Sequence, residues 1–271
     1  MFKKIPVIVS VVAILALVSG ADSPQAMENP KVFRGVLLLE GKIATGDYEK
    51  LLTFLRDKAT FDKISGGVFI ASPGGSVVEA INIGRLIRAL GLSTSAPSGP
   101  RESQQVAQGV IAADDLADQR NFGCASACFL VFVSGVYRDV RQAGRLGVHK
   151  PFRLQSDMKT PVSGEDPVVD SSVRRLIENY LGEMGVPARY GELMFAVPSN
   201  RIRWISQREL HADLDGLVPE LKKVVDSKCA GSAQGRLAAD KRIADSCQAD
   251  VEWRIRAELP AEQWPKVFGH P

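Results

Sequence analysis

The chain has 271 residues, of which 45% are hydrophobic and 24% are charged, as in ordinary globular proteins and unlike disordered or fibrous chains. That length can bury a substantial core in one large domain or two small ones. Without the first 21 residues, the formal charge falls from +3 to about +1, because two lysines and no acidic residue are removed. A near-neutral chain gives no electrostatic argument for nucleic acid, and we expect no such partner.

The N-terminal stretch has the three parts of a secretory signal peptide. Lys3 and Lys4 supply the positive charge, an apolar run extends from Ile5 to Val18, and a small-residue stretch ends at Ala21. We expect cleavage near Ala21 and export to the periplasm or the medium. The alternative is an uncleaved helix that anchors the chain to a membrane. The apolar run is shorter than the roughly 20 residues that a spanning helix needs, which favours cleavage.

Apolar runs of strand length alternate with helical periodicity in the first half of the chain. In order, these segments cover 35–41, 46–59, 66–71, 72–91 and 92–97. Strands and helices in alternation indicate α/β architecture with mainly parallel strands. The polar, weakly periodic stretch 98–123 interrupts this order, and we expect a long loop or flap there.

The alternation resumes in the second half. The apolar stretch "CASACFLVFVSGV" (124–136) predicts a buried helix, and "GRLGVHKP" (144–151) predicts a strand. Residues 171–185 predict an amphipathic helix with Gly185 as its terminator. The expected division is a signal peptide, a polar lead-in, one α/β domain and a charged helical C-terminal extension, over 1–21, 22–33, 34–221 and 222–271.

The chain has four cysteines, and an even number in an oxidising compartment suggests disulfides. Cys229 and Cys247 flank a polar, helix-prone segment, and we expect a bridge between them. Cys124 and Cys128 would lie one turn apart in a helix, with Cβ directions that disfavour a bridge. We therefore expect two buried thiols there, with a bridge as the alternative. The spacings C-x3-C and C-x17-C do not form paired C-x2-C units, so we expect no metal site.

A few residues could carry chemistry, although each alone also has a purely structural interpretation. His149 ends an apolar strand before a proline, and strand ends in α/β folds present side chains to a crevice. Ser126 lies between small residues at the start of the apolar run, where backbone amides can stabilise an oxyanion. A serine nucleophile needs a base to accept its proton. Of the other histidines, His211 is expected at the surface and His270 at the frayed terminus.

The stretch "SPGG" (72–75) is a glycine-rich turn between a predicted strand and a predicted helix. Two adjacent glycines usually indicate only a tight turn. No Walker or dinucleotide-binding pattern completes the motif, so we expect no nucleotide cofactor. The remaining functional use is to offer a backbone amide to an oxyanion or to line a groove for an extended peptide.

The order of these motifs resembles the proteolytic subunit of the Clp protease. The wider group includes signal peptide peptidase A and the crotonases. "SPGG" follows a strand, "CASAC" opens an apolar stretch, and "LGVHKP" places its histidine 23 residues after the serine. The likeness extends from about Val36 to Val218. It implies an α/β fold of repeated β-β-α and β-α units with mainly parallel strands.

The resemblance also implies roles for four residues of this chain. Ser126 corresponds to the nucleophile and His149 to the general base. Gly75 and Ala127 would supply the backbone amides of the oxyanion hole. No cofactor is implied.

The aspartate that completes the family's triad does not carry over, because its position falls at or near Ile202. Asn200 and Asp213 are weak candidates, and the third member stays unknown. A base without its orienting carboxylate is weaker, since that group fixes the imidazole tautomer. A serine–lysine pair would need Lys150 or another lysine, and Lys150 should point away from His149 on the strand.

These observations favour an exported serine hydrolase, a peptidase with a peptide or protein substrate. The alternative is a catalytically inactive relative that serves as a binding or scaffold protein, which the missing aspartate favours. Acyl-CoA chemistry shares the fold, but coenzyme A is not expected outside the cytoplasm. The resemblance allows a homo-oligomer. No ATPase partner is indicated, because ATP is not expected in an exported compartment.

Overall fold

The computed structural model describes residues 27–97, 123–140, 145–151, 167–233 and 238–269. The predicted signal peptide lies outside the described residues, as do the start of the lead-in and all of the predicted flap except Gly123. The strands are β1 (Lys31–Phe33), β2 (Val36–Glu40), β3 (Val68–Ala71), β4 (Thr94–Ala96), β5 (Cys124–Ala125), β6 (Tyr137–Val140), β7 (Leu146–Val148), β8 (Arg203–Trp204) and β9 (Gly216–Leu217). The helices are α1 (Asp47–Arg56), α2 (Lys58–Phe61), α3 (Val77–Ala89), α4 (Ala127–Phe132), α5 (Pro167–Glu183), α6 (Arg189–Ala196), α7 (Gln207–Asp213), α8 (Pro219–Cys229) and α9 (Ala238–Phe268).

The strands form two sheets. The larger has the order β1-β2-β3-β4-β6-β9, with parallel pairing from β2 through β6 and antiparallel strands at both edges. The smaller has the order β5-β7-β8, in which β5 and β7 are parallel and β8 is antiparallel. The two sheets meet at a parallel bridge between Ser72 and Cys124. The chain is therefore a mixed α/β protein with mostly parallel pairing in its main sheet.

The central strands are apolar on both faces because both faces are covered. Every residue of β3 is buried, as are the last four residues of β2. Strands covered on both sides have near-continuous apolar sequences, which explains "VLLLE" and "VFIA". Helix α3 begins after Ser76, whose hydroxyl accepts the Glu79 amide. The Glu79 carboxylate in turn accepts the amides of Gly46 and Tyr48 at the start of α1.

Helix α4 is held in the core by neighbouring elements. The Tyr180 hydroxyl on α5 donates to the Leu130 carbonyl at 2.8 Å. Gly84 on α3 leaves room for that ring, since a Cβ there would lie 1.8 Å from the Tyr180 hydroxyl oxygen. Arg138 donates to the Val133 carbonyl at 3.0 Å and Arg88 to the Ser134 carbonyl at 2.6 Å. Two guanidinium groups thus satisfy carbonyls just after the helix.

The prediction of one buried helix over 124–136 is wrong at its start. Cys124 and Ala125 form β5, and the helix begins only at Ala127. The Cys124 amide donates to the Arg145 carbonyl, and the Ala125 amide donates to the Ser72 carbonyl. Backbone pairing with segments on both sides therefore makes Cys124 and Ala125 a strand. Periodicity alone does not distinguish a short buried strand from a buried helix in an apolar run.

The C-terminal part is helical and packs on the first helices of the domain. Helix α8 leads through a short 3-10 turn (Ala230–Ala233) towards α9. The Trp264 ring of α9 is buried, lies 6.4 Å from the Phe61 ring and donates its indole N–H to the Leu55 carbonyl. Among the described residues, no helix combines the length and apolar character needed to cross a bilayer.

Candidate active site

Ser126 occupies a strained turn between β5 and α4. Its backbone angles are φ 59° and ψ −124°, and among the described residues only Arg34 is another non-glycine residue with positive φ. Such a conformation costs about 1–3 kcal/mol and persists only where the surroundings impose it. The Ser126 amide donates to the Gly147 carbonyl at 2.9 Å, and its carbonyl accepts the Phe129 amide at 3.0 Å. Ser126 is the one residue from 124 to 136 that is not buried.

The "SPGG" turn packs directly against the Ser126 turn. The Ser72 hydroxyl accepts the Gly74 amide at 3.0 Å, and the Ser72 backbone pairs with Gly123 and Ala125. Gly74 has φ 101°, and a Cβ there would lie 2.6 Å from the Ser126 Cβ. Only glycine allows this approach.

The Gly75 and Ala127 amides lie on these two touching turns. Gly75 has φ 141°, and a Cβ there would lie 2.0 Å from the Ile43 carbonyl oxygen. A Cβ on the preceding Gly74 would lie 3.1 Å from the Ala127 nitrogen. Within the described residues, neither the Gly75 nor the Ala127 amide donates a hydrogen bond. Each amide therefore lacks an acceptor within the described part of the chain.

His149 follows the end of β7 and lies two residues beyond Gly147, whose carbonyl accepts the Ser126 amide. Its side chain is buried, and its Nδ1 lies 2.9 Å from the Lys150 carbonyl oxygen. A carbonyl oxygen only accepts, so Nδ1 is the protonated donor. In the neutral imidazole this leaves Nε2 with its lone pair, which is the tautomer that a general base needs. The Lys150 amide donates to the Val197 carbonyl at 2.9 Å and fixes this segment.

Ser126 and His149 lie at the same end of two paired strands. Parallel β5 and β7 pair Cys124 with Leu146 and Ala125 with Gly147, so Ser126 follows directly beyond the paired region and His149 follows it after one more residue. Among the described residues, no hydrogen bond joins the Ser126 hydroxyl to the His149 ring. Catalytic hydrogen bonds are often long in unliganded enzymes and tighten when substrate binds.

Continuing the β7–β8 register one position beyond both strands brings an isoleucine opposite His149. Antiparallel β7 and β8 pair Gly147 with Trp204 and Val148 with Arg203, and the next position in that register places Ile202 opposite His149. Ile202 is 44% exposed. The position to which the resemblance assigns an aspartate is thus beside the histidine, but it carries no carboxylate.

The two other candidates for a third member lie elsewhere. Asn200 is exposed in the turn before β8. Asp213, on α7, accepts the Tyr190 hydroxyl at 2.8 Å and forms an ion pair with Arg189. Within the described part of the chain, no hydrogen bond or ion pair joins either side chain to His149. The acceptor present at its Nδ1 is the Lys150 carbonyl, which sequence reasoning missed because a backbone group leaves no residue signature.

All four cysteines are bridged. Cys229 joins Cys247 as expected, with Cα atoms 5.9 Å apart. The expectation of free thiols at Cys124 and Cys128 is wrong, because these residues form a second disulfide with Cα atoms 5.1 Å apart. That expectation assumed a continuous helix. The turn at Ser126 separates a strand from a helix, so the two side chains can meet. No group of side chains suited to hold a metal occurs among the described residues.

Comparisons with known proteins give limited information. No protein-family model matches the chain, and neither does any curated protein. Among solved structures, the chain is similar to the membrane-bound stomatin-specific protease 1510-N, in a mutant form. The identity is 14%, the TM-score is 0.46, and the match covers 71% of this chain and 83% of that one. A likeness at this level supports no conclusion about the activity of the present chain.

Proposed function

We propose that this chain is an exported serine hydrolase that cleaves peptide or protein substrates. Ser126 is the nucleophile and His149 is the general base. The Gly75 and Ala127 amides bind the oxyanion. The predicted signal peptide supports export, and the two disulfides fit an oxidising compartment.

The conformation of Ser126 is the observation that carries this proposal. A serine at positive φ between a strand and a helix is the arrangement by which nucleophile elbows expose a hydroxyl above a buried turn. Here the residues on both sides of Ser126 are buried while Ser126 itself is not. Glycine would adopt this φ without strain. The presence of serine instead is explained if its hydroxyl is needed.

His149 supports the proposal through its tautomer. Its Nδ1 proton is held by the Lys150 carbonyl, so Nε2 is the ring nitrogen that would accept the Ser126 proton. A backbone carbonyl orients the ring but stabilises the imidazolium less than a carboxylate does. We therefore expect a slower acylation than a complete triad would give.

The oxyanion hole completes the proposed chemistry. After attack by Ser126 on a carbonyl carbon, the substrate oxygen becomes negative, and the Gly75 and Ala127 N–H groups would donate to it. His149 then returns the proton to the leaving amine, and water repeats the cycle with the acyl-enzyme. Removing one such donor in known enzymes lowers kcat by about 100- to 1000-fold.

Covalent labelling with a fluorophosphonate probe tests this function. We expect the purified wild-type protein to be labelled at Ser126, and labelling to disappear in Ser126→Ala and His149→Ala. His211→Ala is the matched control, because that histidine is exposed and contacts Asp215 on the surface. Labelling that persists in Ser126→Ala, or that is lost equally in the control, would contradict the assignment.

A binding or scaffold protein is the second candidate, and Ile202 beside His149 is the observation that favours it. In that case the wild-type protein would show no labelling between pH 6 and 9, while an extended peptide would still bind at equilibrium. Such binding should be unchanged by Ser126→Ala, whereas a hydrolase would turn the peptide over.

A further inference from the structure

We propose that the Cys124–Cys128 disulfide is a positioning element for the Ser126 turn. This inference rests on the proposed function, because it concerns how the nucleophile is held. The bridge joins the residues two before and two after Ser126, with Cα atoms 5.1 Å apart. It therefore connects the first residue of β5 to the first turn of α4, directly around the only positive-φ serine among the described residues.

The positions two residues before and two residues after a nucleophile are crowded in such turns. In the G-x-S-x-G elbow both positions are glycine. In this chain both positions are cysteine, and both side chains are completely buried. The crowding is resolved by a covalent bond, since bonded sulfur atoms approach far closer than unbonded ones.

Loss of the bond would displace the turn. Two thiols in the same place must separate to van der Waals contact, and close packing of the core leaves little room for this. The backbone of Ser126 should rotate most easily, because its φ of 59° is unfavourable for a serine. That rotation moves the Ser126 hydroxyl and the Ala127 amide together. A misplacement of about 1 Å can reduce a rate by about 100-fold.

The second disulfide provides a matched control within the same chain. Cys229 and Cys247 connect α8 to α9 and lie outside β5 and α4. The test compares Cys124→Ala/Cys128→Ala with Cys229→Ala/Cys247→Ala. Alanine is chosen because serine would bury an unpaired hydroxyl at positions 124 and 128.

The readout is the rate of fluorophosphonate labelling as a function of probe concentration. We expect Cys124→Ala/Cys128→Ala to lower the limiting rate by about 10- to 100-fold. The half-saturating probe concentration and the far-UV circular dichroism spectrum should change little. Cys229→Ala/Cys247→Ala should label at the wild-type rate. Equal limiting rates in all three proteins would overturn the proposal while leaving the hydrolase function intact, whereas absence of labelling in the wild type would contradict the function itself.

A redox experiment covers the case in which Cys124→Ala/Cys128→Ala does not fold. Cys229→Ala/Cys247→Ala retains only the bridge at Ser126, and it can be unfolded, reduced and refolded with or without a water-soluble phosphine. The phosphine takes an oxygen atom from water and becomes its oxide, while the S–S bond breaks to give two thiols. Refolding without phosphine in a glutathione redox pair restores the bridge by thiol–disulfide exchange.

The reduced protein should be folded but label slowly, and reoxidation should restore the rate. Rapid labelling by reduced protein, with both thiols verified by alkylation and mass spectrometry, would overturn the proposal. Failure of the reduced protein to fold would also overturn it, because the bridge would then be required for the fold instead of for the geometry of Ser126.

Discussion

The Ser126 turn and the C-terminal helices each contain a disulfide, but in different surroundings. Cys124 and Cys128 are four residues apart and completely buried. Cys229 and Cys247 are 18 residues apart and join two helices with many exposed residues, although Cys229 itself is buried. In the chain-entropy model, the longer loop contributes about 3 kcal/mol of stability and the shorter one about 2 kcal/mol. The bridge at the candidate site is thus the weaker one for global stability.

This difference suggests that one bridge stabilises the C-terminal helices and the other constrains the backbone at Ser126. The C-terminal helices carry exposed i,i+4 ion pairs, such as Lys222–Asp226 and Arg254–Asp250, and such pairs contribute little. A covalent link across 18 residues adds to that small contribution. The bridge at Ser126 lies instead between two completely buried side chains. That bridge makes physical sense as a local constraint on a residue that would otherwise leave positive φ.

Glycine substitutions should separate the two regions most strongly. Gly75→Ala places a Cβ 2.0 Å from the Ile43 carbonyl oxygen at φ 141°, so we expect a loss of about 3 kcal/mol or more in unfolding free energy. Gly231→Ala in the C-terminal part meets no atom within 4 Å and should change stability by less than about 0.5 kcal/mol. Urea denaturation measures both. Similar values for the two variants would contradict the tight contact at the "SPGG" turn.

Substitutions at Ser126 measure how much the turn is strained. Ser126→Ala keeps a Cβ at φ 59°, whereas Ser126→Gly removes it, so the glycine variant should be more stable by about 1 kcal/mol. Both variants should lose labelling. Arg34→Gly and Arg34→Ala form the control pair, because Arg34 also has positive φ, at 48°, but is not at the site. They should show a similar difference in stability with unchanged labelling.

A glycine variant at 126 that is no more stable than the alanine variant would show that a Cβ at φ 59° costs nothing at this position. Ser126 would then not be strained, and the argument from strain to a nucleophile would fail. The Arg34 pair shows what a Cβ at positive φ costs at a position away from the site.

The sequence predicted those features that follow from local patterns. The apolar runs at β2 and β3 are continuous because both faces are covered, and the periodicity of α3 is regular. The sequence did not predict that Cys124 and Ala125 form a strand. Their partners, Ser72 and Arg145, are remote in the sequence, so no local pattern contains that pairing. The positive φ of Ser126 and the bridge around it follow from the same remote contacts.

The order of the motifs led to the candidate site more reliably than any single motif did. "SPGG" and "CASAC" are each ambiguous, yet the structure joins them through Ser72, Gly74 and Ser126. The missing aspartate was visible from the sequence as Ile202. The acceptor on His149 Nδ1 was not visible, because a carbonyl group occurs at every residue and its direction depends on tertiary structure.

A new charge beside His149 should have the smallest of these effects, and it tests whether His149 is the base. Ile202→Asp places a carboxylate opposite the histidine in the β7–β8 register. A negative charge there favours the protonated imidazole, so more alkaline solution is needed to keep the base neutral. In a plot of labelling rate against pH, the acidic limb should therefore move to higher pH, and partial exposure of the position to water keeps the change small.

Two controls separate this effect from a general change in charge. Ile202→Asn has a similar shape without the charge and should leave the limb in place. Ile243→Asp introduces the same charge at an exposed position of α9 and should also leave it in place. A limb that moves only in Ile202→Asp would identify a base near position 202, and a limb that moves equally in Ile243→Asp would reflect net charge. If no variant moves the limb, the titrating group is not beside position 202, and His149 would lose its role even if Ser126 is labelled.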